Sequence, residues 1–599
     1  IADLSIKYVN LELAENLQRH RTNGFSNTEA LVVRRGAPFQ ITVQLKGRPF
    51  DPRTDSVRIK VTLGRLYAVM PVTFSGRNPS SRWNAYIDPN NLDFQRLSIF
   101  VSSPASASVG RYKFQLYVSS QDGQRSAVVG DFTMLCNPWC SDDAVYIPFE
   151  DQREEYVLSD SGLLFMGTPL NLIARPWSFD LKFSKFTKTC FFFLSIQYEP
   201  VSPQHIKNKR KDYMNRANPV YISRVVSAMI NSEDDRGVLK GNWTDDFKQG
   251  VSPSRWTGSG DILRLWAKSG YSPVKYGQCW VFAAVMCTVM RVLGIPCRVI
   301  TNFNSAHDTN GNLVIEEYYS ETGQKLNRSQ DSIWNFHVWV ECWMRRTDLG
   351  QDMDGWQVLD PTPQQRSGGV FCCGPAPVKG IRNQRTDLIY DIPFVYSSVN
   401  ADVHTIILSG QDHVVGFSKD TEKVGSLICT KAVGYPRMQN ITGDYKYLKS
   451  TIPKQNMNAF PPKLILSTST SKGVTVFLTL TKSPVAGEPI VFLVKVMNKQ
   501  KRPKMMNIHL NAQAKEYNHS PSETFWEKHG AIQLAPMEGK SISLSSGILT
   551  VAGAGLIAAS QTITLIPNMA GVKMLQASLS LLDTNITIRG FKMISINSI

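Results

Sequence analysis

The sequence predicts a multidomain α+β chain in three parts, and three observations lead there. Residues 1–140 carry runs such as LVVRR, FQITVQL, VRIKVTLG, LSIFVSS and RYKFQLYVSS. These cluster or alternate β-branched and aromatic residues, with turn residues at roughly ten-residue spacing, the pattern of an N-terminal immunoglobulin-like β-sandwich. Residues 141–460 mix helical periods (Tyr221–Ile230, Asp261–Lys268, Cys279–Leu293) with strand patterns (Arg298–Asn302, Asn335–Trp343, Trp356–Asp360), and they hold most of the Trp and Cys. Residues 461–599 return to strands (VTVFLTLT, PIVFLVKVMN, GKSISLS, QTITLI, MLQASLSLL), a C-terminal β-barrel or sandwich region, after a polar, Pro-containing linker at Leu448–Pro462.

Composition narrows the function classes. With 599 residues, 42% apolar and 19% charged, the chain has material for several packed cores, which excludes global disorder. No apolar run reaches the roughly 18 residues that span a bilayer. The first residues, IADLSIKYVN, show no basic region followed by an apolar one, so no secretory leader is expected. Ten cysteines are too sparse for a disulfide scaffold, which favours a reducing, cytoplasmic setting; export by a route without a leader stays open. The surplus of 66 basic over 49 acidic residues allows attraction to anionic partners such as extracellular-matrix polysaccharide. The densest basic run, Lys207-Asn208-Lys209-Arg210-Lys211, has no zinc-finger, zipper or RNA-binding motif beside it, and no nucleic-acid partner is expected.

The chemistry gathers in the middle part. Tyr276-Gly277-Gln278-Cys279-Trp280 leads into a helical apolar run that Gly294 and Pro296 end. Cys279 then sits at a helix N-terminus, where the macrodipole and free backbone N–H groups favour the reactive thiolate. Asn335–Glu341 alternates as a strand carrying His337, and Trp356–Asp360 reads as its antiparallel partner, ending on Asp360. A Cys, a His and an Asp in this order suit nucleophilic acyl chemistry: the imidazole takes the thiol proton and the carboxylate fixes the imidazole tautomer. Taken singly, a buried structural Cys, a core His and a turn carboxylate stay open.

At these residues the sequence resembles a known family. YGQCWVFAAV, NSAHDTNGNL, WNFHVWVECW and GWQVLDPTPQ are similar to segments of the animal transglutaminases, the tissue and epidermal types above all. NPWCSDDAVY, SRVVSAMINSEDDRGVLKGNW, FCCGPAPVKGI and PFVYSSVNADV extend the resemblance over nearly the whole chain. It implies a β-sandwich, a papain-like core and two C-terminal barrels. It also implies transfer of a protein glutamine acyl group through a cysteine thioester to a protein lysine or a polyamine, or to water as deamidation. By matched position Cys279 is the nucleophile, His337 the base, Asp360 its orienter and Trp243 an oxyanion donor, with Trp243 and Trp334 walling an amine tunnel. A catalytically silent scaffold and a thiol protease are the alternatives; the presence of all three acyl-transfer residues argues against the first and a water-excluding tunnel against the second.

The resemblance also implies Ca2+. One site matches Asp308, Asn310, Asn312, the Val314 carbonyl and Asp331, oxygen ligands of the kind calcium takes. A second matches the Ala228 carbonyl, Asn231, Glu233 and Asp235. A third starts at Asn400 and Asp402, but the positions where the family has two glutamates are Lys449 and Lys454, and lysine repels a cation. GTP regulation is not expected, because Gly473–Leu478 carries no Arg and the 198–214 stretch lacks the family's Lys-Phe pair. Tyr517 matches an autoinhibitory tyrosine and Cys372-Cys373 a pair that forms a vicinal disulfide. Residues 461–599 are short for two barrels, so remnants of both are expected there.

Overall fold

The computed structural model describes residues 4–24, 30–74, 82–90, 92–121, 123–181, 208–244, 246–321, 325–410 and 412–447, together with the strands between 465 and 596 named below. Tyr517, Lys449, Lys454, Cys190 and the 448–462 linker lie outside them. The chain divides into two compact units, one of Ile1–Gln364, Phe371–Gln384 and Tyr390–Lys446, the other of Gln365–Val370, Arg385–Ile389 and Tyr447–Ile599.

The first unit opens with the strands the alternation predicts. They run in the order β1 (Ser5–Asn10), β3 (Phe39–Lys46), β7 (Arg96–Ser102), β6 (Asn84–Ile87), β5 (Leu66–Thr73), β4 (Ser56–Leu63), β8 (Gly110–Ser120), β9 (Gly123–Leu135) and β2 (Leu31–Arg34). Alternate residues point inward, as period two requires. Val57, Ile59, Val61 and Leu63 of β4 meet Phe114, Leu116 and Val118 of β8 in one buried cluster. Helix α1 (Leu13–Arg19) closes one end by its Asn16, whose amide donates to the Leu11 and Gln40 carbonyls. β5 carries no clear strand signal in the sequence, since Pro71 interrupts its pattern.

The sandwich is stitched to the segment that follows it. Arg35 donates to both carboxylate oxygens of Asp143, at 2.6 and 2.7 Å, and to the carbonyls of Ala107 and Ala217. Tyr213 enters the sandwich core beside Gly64, where φ is +56° and a Cβ would lie 2.0 Å from the tyrosine ring. Only glycine tolerates both conditions.

Next along the chain is the hairpin of β10 (Ser161–Thr168) and β11 (Asn171–Ser178), another pair the sequence does not announce. The core then builds on three helices: α2 (Pro219–Ile230), α3 (Ser259–Lys268) and α4 (Cys279–Val292). All fourteen residues of α4 are buried, so this helix is apolar all round rather than amphipathic. It ends as the sequence predicts, with Gly294 at φ +84° and its neighbour Ile295 N–H donating back to the Met290 carbonyl at 2.9 Å.

β12 (Leu239–Gly241) and β13 (Val274–Gly277) form a short parallel pair that leads into α4. Behind α4 stands a six-stranded antiparallel sheet, in order Cys373–Pro377, Gly355–Asp360, Ser332–Met344, Cys297–His307, Leu427–Lys431 and Met438–Asn440. Among the described residues no helix is long and apolar enough to cross a membrane.

In the second unit, Ile465–Ser471, Val474–Leu480, Ile490–Asn498 and Gly539–Ser543 make one sheet, with Gln561–Ile563 also on Ile490–Asn498. Pro521–Leu534, Lys504–Lys515, Gly571–Leu581 and Thr587–Ile596 make another. Each sheet draws strands from before and after the 534–548 stretch.

Candidate active site

Three elements converge. α4 presents Cys279 at its first residue, after Gln278 in extended conformation, and the thiol is buried at 4% exposure. The strand Ser332–Met344 pairs antiparallel with Gly355–Asp360 in a register that sets Val340 against Leu359, so Asp360 falls opposite Trp339 and diagonal to His337. His337 and Trp339 share a face, two residues apart. The result is a hydrogen bond of 2.6 Å between His337 Nε2 and Asp360 Oδ2, both side chains almost fully buried.

The ring's other nitrogen, Nδ1, is buried without a conventional partner. Asp360 and Cys279 are the groups that act on the ring. Burial alone would pull the imidazole down, but Asp360 and then Cys279 outweigh burial and raise it to about 10. The structure thus brings Cys279, His337 and Asp360 together, with Nε2 on the carboxylate and Nδ1 without a hydrogen-bond partner.

Asp360 is held by groups that sequence reading missed. Its Oδ1 accepts the Thr362 N–H at 2.9 Å, its carbonyl accepts Ser227 Oγ–H at 3.1 Å, and Gln364 Nε2 donates to Oδ2 at 3.2 Å. The same amide nitrogen lies 2.7 Å from His337 Nε2. The available signal was the turn DPTPQ, where Asp, Thr and Gln at alternate positions return to one carboxylate.

Trp243 sits half exposed, its ring parallel to Phe282 at 6.3 Å and 12°. Two bonds tie its neighbour Asn242 to the approach to α4: Asn242 N–H to the Gly277 carbonyl, and Gln278 Nε2 to the Asn242 carbonyl. Gly241 makes room for the indole, since a Cβ there would come within 2.4 Å of it. Trp334 meets His337 edge-on at 5.1 Å and His307 at 6.4 Å. Aromatic rings thus meet His337 through Trp334 and flank α4 through Trp243 on Phe282.

The three calcium sets differ in fit. Asp308 is buried and turned into its own loop, accepting N–H groups of Asn310, Gly311 and Leu313, while Asn310 and Asn312 accept from the N–H of Asn312 and Val314. Asp331 Oδ1 accepts Thr309 N–H and Oγ–H, and Oδ2 is buried without a partner. In the second set Asn231 Oδ1 accepts the Glu233 N–H, Ala228 lies in the last turn of α2, and Asp235 Oδ1 is likewise buried and orphaned. Burial, opposed by a Gly237 N–H and reinforced by Asp234, lifts the Asp235 carboxyl to about 7. Orphaned buried carboxylate oxygens fit a hard cation.

The third set does not fit. Asn400 ends the helix Ile392–Asn400, and Asp402 is ion-paired with Lys419 at 2.7 Å, so an internal ammonium occupies the carboxylate a cation would need. Among the described residues no three acidic, His or Cys side chains form a ready metal cluster.

All nine described cysteines are free. Cys372 and Cys373 are both buried thiols, and burial pushes Cys372 to about 12 and Cys373 well above its ordinary value. A thiolate there is costly.

Comparison with known proteins agrees with this geometry. The model described as the transglutaminase family matches residues 7–119, and that of the transglutaminase-like superfamily matches residues 266–361, which hold Cys279, His337 and Asp360. The chain is 38% identical over 583 residues to human protein-glutamine gamma-glutamyltransferase 5, covering 90% of this chain and 79% of that protein. It is 45% identical over 455 residues to protein-glutamine gamma-glutamyltransferase 2 of Gallus gallus, covering 74% of this chain and 64% of that one. The solved structure of red sea bream transglutaminase superposes with a TM-score of 0.68 at 33% identity, over 99% of this chain and 85% of that one. With a multidomain α+β fold shared along its length and relatives at this identity, the chain belongs to the transglutaminase family.

Proposed function

We propose that the chain is a calcium-dependent protein-glutamine γ-glutamyltransferase that joins protein glutamines to lysines or polyamines, and deamidates glutamine when water is the acceptor. The observation that carries this is the Cys279, His337, Asp360 arrangement, with Nδ1 of the ring left for the thiol. His337 takes the Cys279 proton on Nδ1, and Asp360 holds Nε2–H and balances the charge. The thiolate attacks the glutamine carboxamide carbon. The Cys279 backbone N–H and the Trp243 indole N–H face the oxyanion, each such donor being worth about 3 kcal/mol. His337 returns the proton to the departing ammonia, leaving a thioester. It next accepts a proton from the attacking amine, and the thiolate leaves as the isopeptide forms. Trp243 and Trp334 keep water away, which favours amine over hydrolysis.

Bound calcium would supply charge neutralisation and order to the loops around Asp308–Asp331 and Asn231–Asp235. The buried orphan oxygens of Asp331 and Asp235 support this for those two sets, and the Asp402–Lys419 pair argues against the third. The test is incorporation of a labelled primary amine into a glutamine-rich protein, with and without millimolar Ca2+. A calcium-dependent signal that Cys279→Ala abolishes is expected. Absence of signal from folded protein would overturn the reading.

A further inference from the structure

Gln364 stands where the mechanism gives it no work. Its amide nitrogen lies 2.7 Å from His337 Nε2 and 3.2 Å from Asp360 Oδ2, at the ring nitrogen that Asp360 also holds. His337 Nε2 has one site for a proton, and at 2.6 Å that proton is shared with Asp360. An amide N–H and a ring N–H cannot both point along a 2.7 Å line between them. When the ring carries its proton on Nε2, the amide is therefore confined to Asp360 Oδ2 and crowds the ring donor. When the ring carries its only proton on Nδ1, Nε2 offers a lone pair and the amide N–H donates to it.

Both consequences act in one direction. Donation to Nε2 stabilises the Nδ1–H tautomer, in which the nitrogen that the proposed mechanism assigns to the Cys279 proton is already protonated and cannot serve as base. Donation to Oδ2 draws on the carboxylate charge that would otherwise steady the imidazolium, and the crowding opposes Nε2–H in either charge state.

We propose that Gln364 is a positioning residue that competes with Asp360 for His337 Nε2 and restrains the thiolate–imidazolium pair in the resting enzyme. The proton balance is simple: Cys279 S–H and neutral Nε2–H imidazole become thiolate and imidazolium, with no other reactant. The charged and titratable groups that face His337 are Cys279 from α4, Asp360 from its partner strand, and His307, which burial and then His337 hold below its ordinary value. None of these is a neutral donor to Nε2, so Gln364 alone among the groups bonded to that nitrogen can set the tautomer without changing charge. The inference rests on the acyl-transfer reading for its meaning, but its test does not.

The test is the pH dependence of Cys279 alkylation by iodoacetamide in the full chain, read by mass spectrometry at the Cys279 peptide. Gln364→Met keeps the volume and removes the donors; Gln364→Ala removes both. In both variants the alkylation midpoint is expected to fall by about half a pH unit or more, some threefold more thiolate below the midpoint. An unchanged or raised midpoint in both would overturn the proposal. Failure of amine incorporation with the shift intact would count against the acyl-transfer reading alone.

Discussion

His337 and Asp360 are 23 positions apart in the chain and 2.6 Å apart in space, because the register Val340 to Leu359 brings the end of one strand diagonally across from the other. The pair sets which ring nitrogen is free. Asp360→Asn retains the shape but can present an amide N–H to Nε2, which selects the tautomer with Nδ1 blocked. Amine incorporation by this variant is expected to fall by roughly 10³-fold or more with little change in thermal midpoint. Wild-type rates would refute the role.

Gly241 has the same logic for the indole. A methyl at 241 would lie 2.4 Å from the Trp243 ring and push it off Phe282. If Trp243 donates to the oxyanion as proposed, Gly241→Ala is expected to lower kcat by about 10²-fold or more, while the KM for the amine moves less. A change confined to KM would place Trp243 in substrate binding instead.

Calcium should be read at two sets and not at the third. Asp235→Asn and Asp331→Asn remove charge from buried orphan carboxylates, and each is expected to weaken the calcium-induced rise in thermal midpoint, with about tenfold lower affinity. Asp402→Asn releases Lys419, and the calcium response should stay as in the parent. A loss in Asp402→Asn equal to the other two would show that the third set binds.

His20 makes the sandwich acid-sensitive. It is buried, with Nδ1 accepting the Arg34 N–H and Nε2 at the Pro38 carbonyl, and burial followed by Arg34 lowers it from 6.5 to about 4. Above pH 6.5 both folded and unfolded forms are neutral and nothing is lost. As pH falls from 6.5 to 4 the unfolded chain takes the proton first, so stability drops, reaching roughly 3 kcal/mol below pH 4. Denaturant unfolding of the parent and of His20→Gln between about pH 7 and 4.5 checks this, with the variant's stability expected to fall less steeply. Equal slopes would assign the acid sensitivity to other groups.

Arg35 and Asp143 form the buried clamp between the sandwich and the core segment, side chains at 1% and 0% exposure. Asp143→Ala leaves a buried guanidinium with two carbonyl partners and no counter-charge. A loss of about 3–5 kcal/mol is expected by denaturant unfolding. The paired change to two apolar residues should cost far less.

Much of this was legible in sequence because it is local. Strand alternation announced Ser56–Leu63 and Gly110–Ser120, and Gly294 with Pro296 announced where α4 ends. His337 and Asp360 could be paired from their strands, since an antiparallel partner needs only a short return loop. The illegible part depends on contacts between distant segments. The β10–β11 hairpin, Gln364 on the dyad and Lys419 on Asp402 carry no periodic signature; their partners are chosen by the fold. The same holds for the C-terminal sheets, where the 504–534 hairpin joins 571–581 rather than closing on its sequence neighbours.

Tyr213 makes the sandwich a borrower. Its ring fills the hollow at Gly64 from a segment well past the last sandwich strand, which ends at Leu135, and Ala217 lends its carbonyl to Arg35 nearby. A fragment cut at residue 140 would keep every sandwich strand yet lose a wall of its own interior. The N-terminal part is therefore not a cassette that recombination could move between proteins intact: whatever lineage acquires it must also acquire the stretch that reaches back, and the two must change together.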